Sequence, residues 1–264
     1  MASVLGIDAA WTEDNDSGIA LIEGEGTTWR LKLAASNLLD FARACGLETP
    51  AEAGVGFSVT CAERILGGRL PDLIAVDMPL SRKPITKRRP SDIGVSKRFG
   101  AAKCSTHSPS AERPGKVSCQ LHKDCEAKGY QLKTIRSLAH PLTLAEVYPH
   151  PALLRLMAVH ERVKYKVGKT NIYWRGGSAT ERLANVRGEL RKIAQRLDEV
   201  IAGVLDKVDV ETPLGFSALK PVEDKIDAIV AAWIGTTILE GTAEPFGDDD
   251  SAIWIPRETW VKVH

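Results

Sequence analysis

Four carboxylates stand where carboxylates are costly. Asp8 closes the apolar run Val4-Leu5-Gly6-Ile7, and Asp77 closes Leu73-Ile74-Ala75-Val76. Glu146 lies within Leu142 to Tyr148, and Asp227 interrupts the apolar stretch from Ile226 to Trp233. A buried, ionised carboxylate is strongly destabilising unless another charge compensates it. One divalent cation site would compensate all four together. Hard oxygen donors suit Mg²⁺ or Mn²⁺, which keep part of their water shell and bind phosphate oxygens. Ions held this way activate water and stabilise the leaving oxygen of a phosphodiester. Asp224 and Asp227 are three residues apart and share one helix face. Asp224 is the alternative helical ligand, and Glu146 an extra ligand or a supporting carboxylate. The plainer reading is that these acids cap turns and helix ends; for Asp224, near a helix start, the macrodipole is reason enough.

A second chemistry is suggested by the distribution of positive charge. The formal net charge is +1, yet Arg82 to Arg136 carries 14 Lys and Arg against 4 Asp and Glu, a local +10 that leaves about −9 elsewhere. Clustered cations point to a polyanion partner. The densest groups are Lys87-Arg88-Arg89 and Lys97-Arg98. A further set, Lys164, Lys166, Lys169 and Arg175, interleaves with Tyr165, Tyr173 and Trp174. Cations for phosphates and rings for bases are what single-stranded nucleic acid requires. The alternative for both sets is a solvated surface. His150 follows the acidic strand and is expected to meet a phosphate or to cap the next helix. Cys104-x-x-His107 and Cys119-x-x-His122-x-x-Cys125 offer thiolate and imidazole donors for zinc, a lesser candidate because the spacing fits no familiar finger.

The elements that must position these groups follow from periodicity. Residues 3 to 8 read as a strand buried on both faces. A polar turn from Thr12 to Ser17 leads to a second strand, Gly18 to Ile22. Trp29, Leu31 and Leu33 alternate with Arg30 and Lys32 in a third, half-exposed strand. Ser36 is the expected cap of a helix through Cys45, and a second helix covers Ser58 to Leu66. The fourth strand ends at Asp77, where Pro79 stops it. Residues 80–141 lack clear periodicity and read as a long basic insertion with one short helix near Ile93 to Phe99. A fifth strand, Leu142 to Tyr148, precedes a helix from Pro151 to His160. Ser178 and Glu181 form a capping box ahead of Leu183, Val186, Leu190, Ile193, Leu197, Val200 and Val204, an amphipathic helix. A last helix is expected from Pro221 to Leu239, followed by an acidic stretch and a short strand at Ile253 to Ile255.

Bulk properties narrow the class. Hydrophobic content of 44% and charged content of 26% are those of a soluble globular chain, and 264 residues suffice for one large domain with an insertion at 80–141. The first residues lack the basic region of a signal peptide, and no apolar run approaches the roughly 18 to 20 residues of a membrane span. Five cysteines do not suggest a disulfide framework. A cytoplasmic protein is expected, without membrane contact. These features carry no information on oligomeric state.

The motifs also resemble a known family. Gly6-Ile7-Asp8-Ala9-Ala10-Trp11 with Ser17-Gly18-Ile19-Ala20-Leu21, then Ala75-Val76-Asp77-Met78-Pro79-Leu80, Glu146-Val147-Tyr148-Pro149 and Asp227-Ala228-Ile229-Val230-Ala231-Ala232 look like the domain of unknown function 429 family. Its members are predicted nucleases of the ribonuclease H-like fold. The resemblance implies an α/β protein with three antiparallel strands followed by parallel strands, order 3-2-1-4-5, flanked by helices. In that fold strands one and four are adjacent, bringing Asp8 and Asp77 toward one ion; the resemblance thus implies that Asp8 bridges two ions, Asp77 holds one and Asp227 the other. The expected activity is metal-dependent hydrolysis of phosphodiesters in nucleic acid. Two other classes compete. One is a non-catalytic nucleic-acid or protein-binding module. The other is an actin-like or sugar-kinase-like ATPase, which usually needs a second such half and a phosphate loop absent here.

Overall fold

In the computed structural model, which describes residues 1–12, 15–50 and 53–258, a mixed β-sheet is flanked by helices on both faces. Two residues of the Thr12 to Ser17 turn, Glu13 and Asp14, lie outside the described residues. Strand β1 (Ala2–Asp8) pairs antiparallel with β2 (Gly18–Glu25) over its whole length, and β2 pairs with β3 (Thr28–Ala35). In β3 the expected alternation holds: Trp29 and Leu31 are buried while Arg30 and Lys32 are exposed. Helices α1 (Leu38–Ala44) and α2 (Phe57–Ile65) follow, and β4 (Leu73–Val76) lies parallel to β1. Asn37, not Ser36, caps α1, its side-chain oxygen accepting the Asp40 N–H at 2.8 Å.

The basic segment is more ordered than its composition suggested. It contains α3 (Pro90–Phe99), α4 (Gly115–Ala127) and the short β5 (Gln131–Leu132). Val95 and Phe99 form one buried i,i+4 pair and Leu121 and Cys125 another, enough to dock each helix although their other faces are polar. Strand β6 (Thr143–Val147) then runs parallel to β4, followed by α5 (Pro149–Leu156), a 3₁₀ turn at Val167–Lys169 and α6 (Thr170–Tyr173). Helix α7 (Ala179–Val200) begins at the expected capping box, with the Ser178 N–H donating to Glu181 at 2.7 Å. After β7 (Ile201–Ala202) and α8 (Val204–Lys207) comes α9 (Phe216–Leu239). It starts five residues before Pro221, which sits inside the helix. Burial of Leu219 there compensates the hydrogen bond a proline cannot make. Strands β8 (Ala243–Gly247) and β9 (Ala252–Pro256) form a closing hairpin; only β9 was expected.

The sheet order is β7-β3-β2-β1-β4-β6-β9-β8, with β5 sharing the β6 edge. Strand alternation sorts the core into two layers. Val4, Leu73, Ala75, Ala145 and Val147 face α7 and α9, while Leu5, Ile7, Ile74, Val76 and Leu144 face the layer of α1, α2 and α4. Helix α9 lies against β1 and β2 at backbone contact distance, which two glycines permit. A Cβ on Gly6 would come 2.3 Å from the Ala228 carbonyl oxygen, and one on Gly18 would come 2.2 Å from that of Asp224. Among the described residues no helix is long and apolar enough to cross a membrane.

Candidate carboxylate site and the adjoining cavity

Asp8 ends β1 in the same parity as Val4 and Gly6, so it points to the α9 face. Asp77 immediately follows β4, its N–H donating to the Ile7 carbonyl at 2.9 Å, and continues the parity of Leu73 and Ala75. The close packing at Gly6 and Gly18 presses one turn of α9 onto these strand ends. One carboxylate oxygen from each of Asp8, Asp224 and Asp227 lies within 4.8 Å of the others. Among the described residues this is the one grouping of three or more metal-capable side chains. Asp77 stands beside the triad, close enough to feel the charges of Asp8 and Asp227.

The acids differ in their partners. Asp227 accepts from the Tyr165 hydroxyl at 2.6 Å and from the Lys166 ammonium at 2.5 Å. Lys220 pairs with Asp224 and, at 3.1 Å, with Glu223, whose other oxygen accepts the Val167 N–H at 2.5 Å. Among the described residues no hydrogen-bond donor reaches the carboxylate of Asp8 or Asp77. Burial pushes Asp77 well above the usual carboxylate range, reinforced by Asp8, and it raises Asp8 as well despite the opposing pull of Lys166. Burial likewise pushes Asp227 up to about 7, with Lys166 pulling the other way. Like charges gathered with too few donors make a set that gains from a hard cation.

Of the two sequence expectations for Glu146, extra ligand or supporting carboxylate, the geometry favours the second. Its parity is that of Leu144, so it leaves the α9 layer. There Arg89 grips both its oxygens, at 2.6 and 2.7 Å, and the Leu80 N–H donates at 2.7 Å. With all these donors engaged it fits the supporting carboxylate of the sequence expectation. The same geometry corrects Arg89 as a nucleic-acid contact: it is buried, and also bonded to Asp92 and the Leu80 carbonyl. Arg88 turns back on α3 through Ser96 and the Asp92 carbonyl, so it too is engaged within the fold. Lys166 is corrected likewise, since its ammonium faces Asp227 and Glu223 rather than solvent. Lys87, Lys97, Arg98, Lys164 and Arg175 are exposed. The cysteine and histidine pairs do not converge. Cys104 packs with Val95 and Phe99 while Cys125 belongs to a different cluster with Leu121, which leaves the zinc reading without a site among the described residues.

Next to the carboxylates opens a cavity of about 380 Å³, which gathers Lys166, Lys169 and His150, all pointed to by the sequence, with Arg162, which sequence reasoning missed. Asp77, Glu223 and Lys166 line it together with Arg162, Lys169, His107 and His150, and the rings of Trp11 and Tyr148 complete its wall. Arg162 donates to the His150 Nε2. Burial, and then Arg162, hold His150 well below the ordinary histidine range. Burial followed by Lys169 lowers His107, and burial followed by Arg162 lowers Lys169. The hint available from sequence was the density of Arg, Lys and His between 160 and 169; the convergence with His107 and Trp11 was not.

An α/β sheet with a carboxylate cluster at the carboxyl ends of adjacent parallel strands, beside a cationic cavity, defines the class. The chain matches the family described as "Protein of unknown function (DUF429)" over residues 6–252, and it belongs to that family. No curated protein matches it.

Proposed function

We propose that the protein is a divalent-metal-dependent phosphodiesterase acting on nucleic acid, built on a ribonuclease H-like frame. The order β3-β2-β1-β4-β6, with three antiparallel strands leading into parallel ones, supports that frame. The observation that carries the chemistry is the triad of Asp8, Asp224 and Asp227 with Asp77 at its side. These are hard oxygen donors, and Asp8 and Asp77 take no hydrogen bond from the described residues, so they fit Mg²⁺ or Mn²⁺. Asp8, Asp224 and Asp77 would hold the ion, and Asp227 would share its carboxylate between that ion and Lys166. A bound ion of this kind polarises a phosphoryl oxygen and makes its water a better nucleophile near neutral pH. The residues of the chain do the rest. Tyr165 and Lys166 fix the rotamer of Asp227. Arg162 and Lys169 offer positive charge to phosphate oxygens on the cavity side. The Glu146–Arg89 pair braces the ends of β4 and β6 through the Leu80 backbone.

The test is cleavage of labelled single-stranded and duplex DNA and RNA with Mg²⁺ or Mn²⁺, against a chelator control. Metal-dependent cleavage that Asp8→Asn abolishes, with nucleic-acid affinity retained, supports the reading. Absence of specific Mn²⁺ binding and of cleavage in the native protein would instead favour a binding module.

A further inference from the structure

The cavity wall carries cations of two kinds. Lys166 and Lys220 are each matched by carboxylates. Arg162 and Lys169 have no carboxylate partner among the described residues, although both line the cavity. His150 is only 8% exposed, and its Nδ1 is buried with no hydrogen-bond partner; the Nε of Arg162 is buried in the same condition. Because the His150 Nε2 accepts from Arg162, the neutral ring carries its proton on Nδ1, a donor without an acceptor. Leaving such donors unsatisfied is destabilising, so they call for a ligand rich in acceptors. Burial, and then the neighbouring cations, lower the basicity of His150, His107 and Lys169.

A phosphate monoester answers that description, with about −1.5 to −2 charge near pH 7 and three acceptor oxygens. The volume, about 380 Å³, lies at the small end of the ~300–1,000 Å³ usual for small-molecule sites. It accommodates a single nucleotide and not a duplex. Trp11, whose ring meets His107 edge-on at 6.1 Å between centroids, supplies an aromatic surface for a base. We propose that this cavity holds one nucleotide by a terminal phosphate monoester, through Arg162, Lys169 and His150, so that the substrate is a phosphorylated chain end. This rests on the phosphodiesterase reading and narrows it to one substrate class.

Binding is measured with the full chain in chelator, where nothing is cleaved. The probes are fluorescent single-stranded oligonucleotides with a 5′-phosphate, a 3′-phosphate, or hydroxyls at both ends. One phosphorylated form is expected to bind ~10-fold or more tightly than the hydroxyl form, a difference of about 1.4 kcal/mol. Lys169→Ala, at a partly exposed and unpaired position, is expected to weaken the phosphorylated form far more than the hydroxyl form and so to erase that preference. His107→Ala, also at the surface, is expected to reduce it. Equal affinities for all three ends, or a preference unchanged in Lys169→Ala, overturn the proposal. Inorganic phosphate competing as well as a nucleoside monophosphate overturns the nucleotide part and leaves an anion site. Hydrolysis is scored separately with Mg²⁺. Cleavage without end preference removes this inference alone, whereas end preference in a protein that cleaves nothing removes the proposed function.

Discussion

Arg89 holds Glu146 by two hydrogen bonds, at 2.6 and 2.7 Å, with both side chains almost wholly buried. Burial works against the charge of each partner: it pushes Glu146 up to about 7 against the pull of Arg89, while Glu146 and Asp92 hold the guanidinium above its ordinary value. The pair locks the start of the basic segment to β6. Removing one member strands the other as an uncompensated buried charge. Arg89→Ala is therefore expected to destabilise the protein by ~3–5 kcal/mol, read as a lowered urea midpoint. Arg89→Lys should recover only part of that loss, because an ammonium cannot reproduce the two-pronged grip. Wild-type stability in Arg89→Ala would show that the pair is not structural.

Asp8 presents the opposite case. It has like charges for neighbours and no donor among the described residues, so neutralising it relieves repulsion. Without divalent ions, Asp8→Asn is expected to melt at a higher temperature than the native protein. Mn²⁺ should stabilise the native protein and leave the variant unmoved, since stabilisation follows ligand affinity. Thermal unfolding with and without Mn²⁺ checks both parts; equal stabilisation of the two proteins would place the ion elsewhere.

Much of this site was legible from residue order, but not all of it for the same reason. Asp8 and Asp77 could be found because each closes an apolar run, and strand parity sends both to one layer. Asp227 could be found because an acid among Ile226, Ile229 and Val230 is out of place on a buried helix. Glu146 left two roles open because its facing depends on the register of β6, where Leu144 lies in the layer opposite Ala145. Arg89 failed because its partner is 57 residues away and both local context and charge run suggested solvent. Lys166 alternates with buried Val163, Tyr165 and Val167 and so looks exposed, yet it turns onto Asp227. Sequence periodicity tells which side of an element a residue occupies. It does not tell which distant charge waits there.

The carboxylate cluster should leave a signature in pH. Asp77 and Asp227 have folded-state values above their ordinary ones, chiefly through burial. Between the unfolded value of ~4 and the folded value, the native state holds more protons, so stability falls as pH rises. For Asp227 the fall ends at about 7. Asp77→Asn removes one such group. In chelator, its stability advantage over the native protein is expected to be small near pH 4 and to grow toward pH 7 to 8. Urea midpoints of the two proteins across that range test the sign. An advantage that shrinks with rising pH would mean that Asp77 is compensated in the native state.

Lys166 brings the stability and cation arguments together. Its ammonium lies 2.5 Å from Asp227 and 3.5 Å from Glu223, and although burial opposes its charge, Asp227 holds its basicity well above the ordinary value. It is thus an internal cation in partial competition with any metal for the same carboxylate. Lys166→Met keeps most of the length of the side chain and deletes the charge. In chelator this leaves Asp227 with Tyr165 as its only donor among the described residues, and a loss of ~3–5 kcal/mol is expected. With the competitor gone, Mn²⁺ should bind ~10-fold or more tightly and restore most of the lost stability. Calorimetric Mn²⁺ titration beside thermal unfolding separates the two effects. Weaker Mn²⁺ binding in the variant would make Lys166 a support of the metal site, and the competition between ammonium and ion would have to be abandoned.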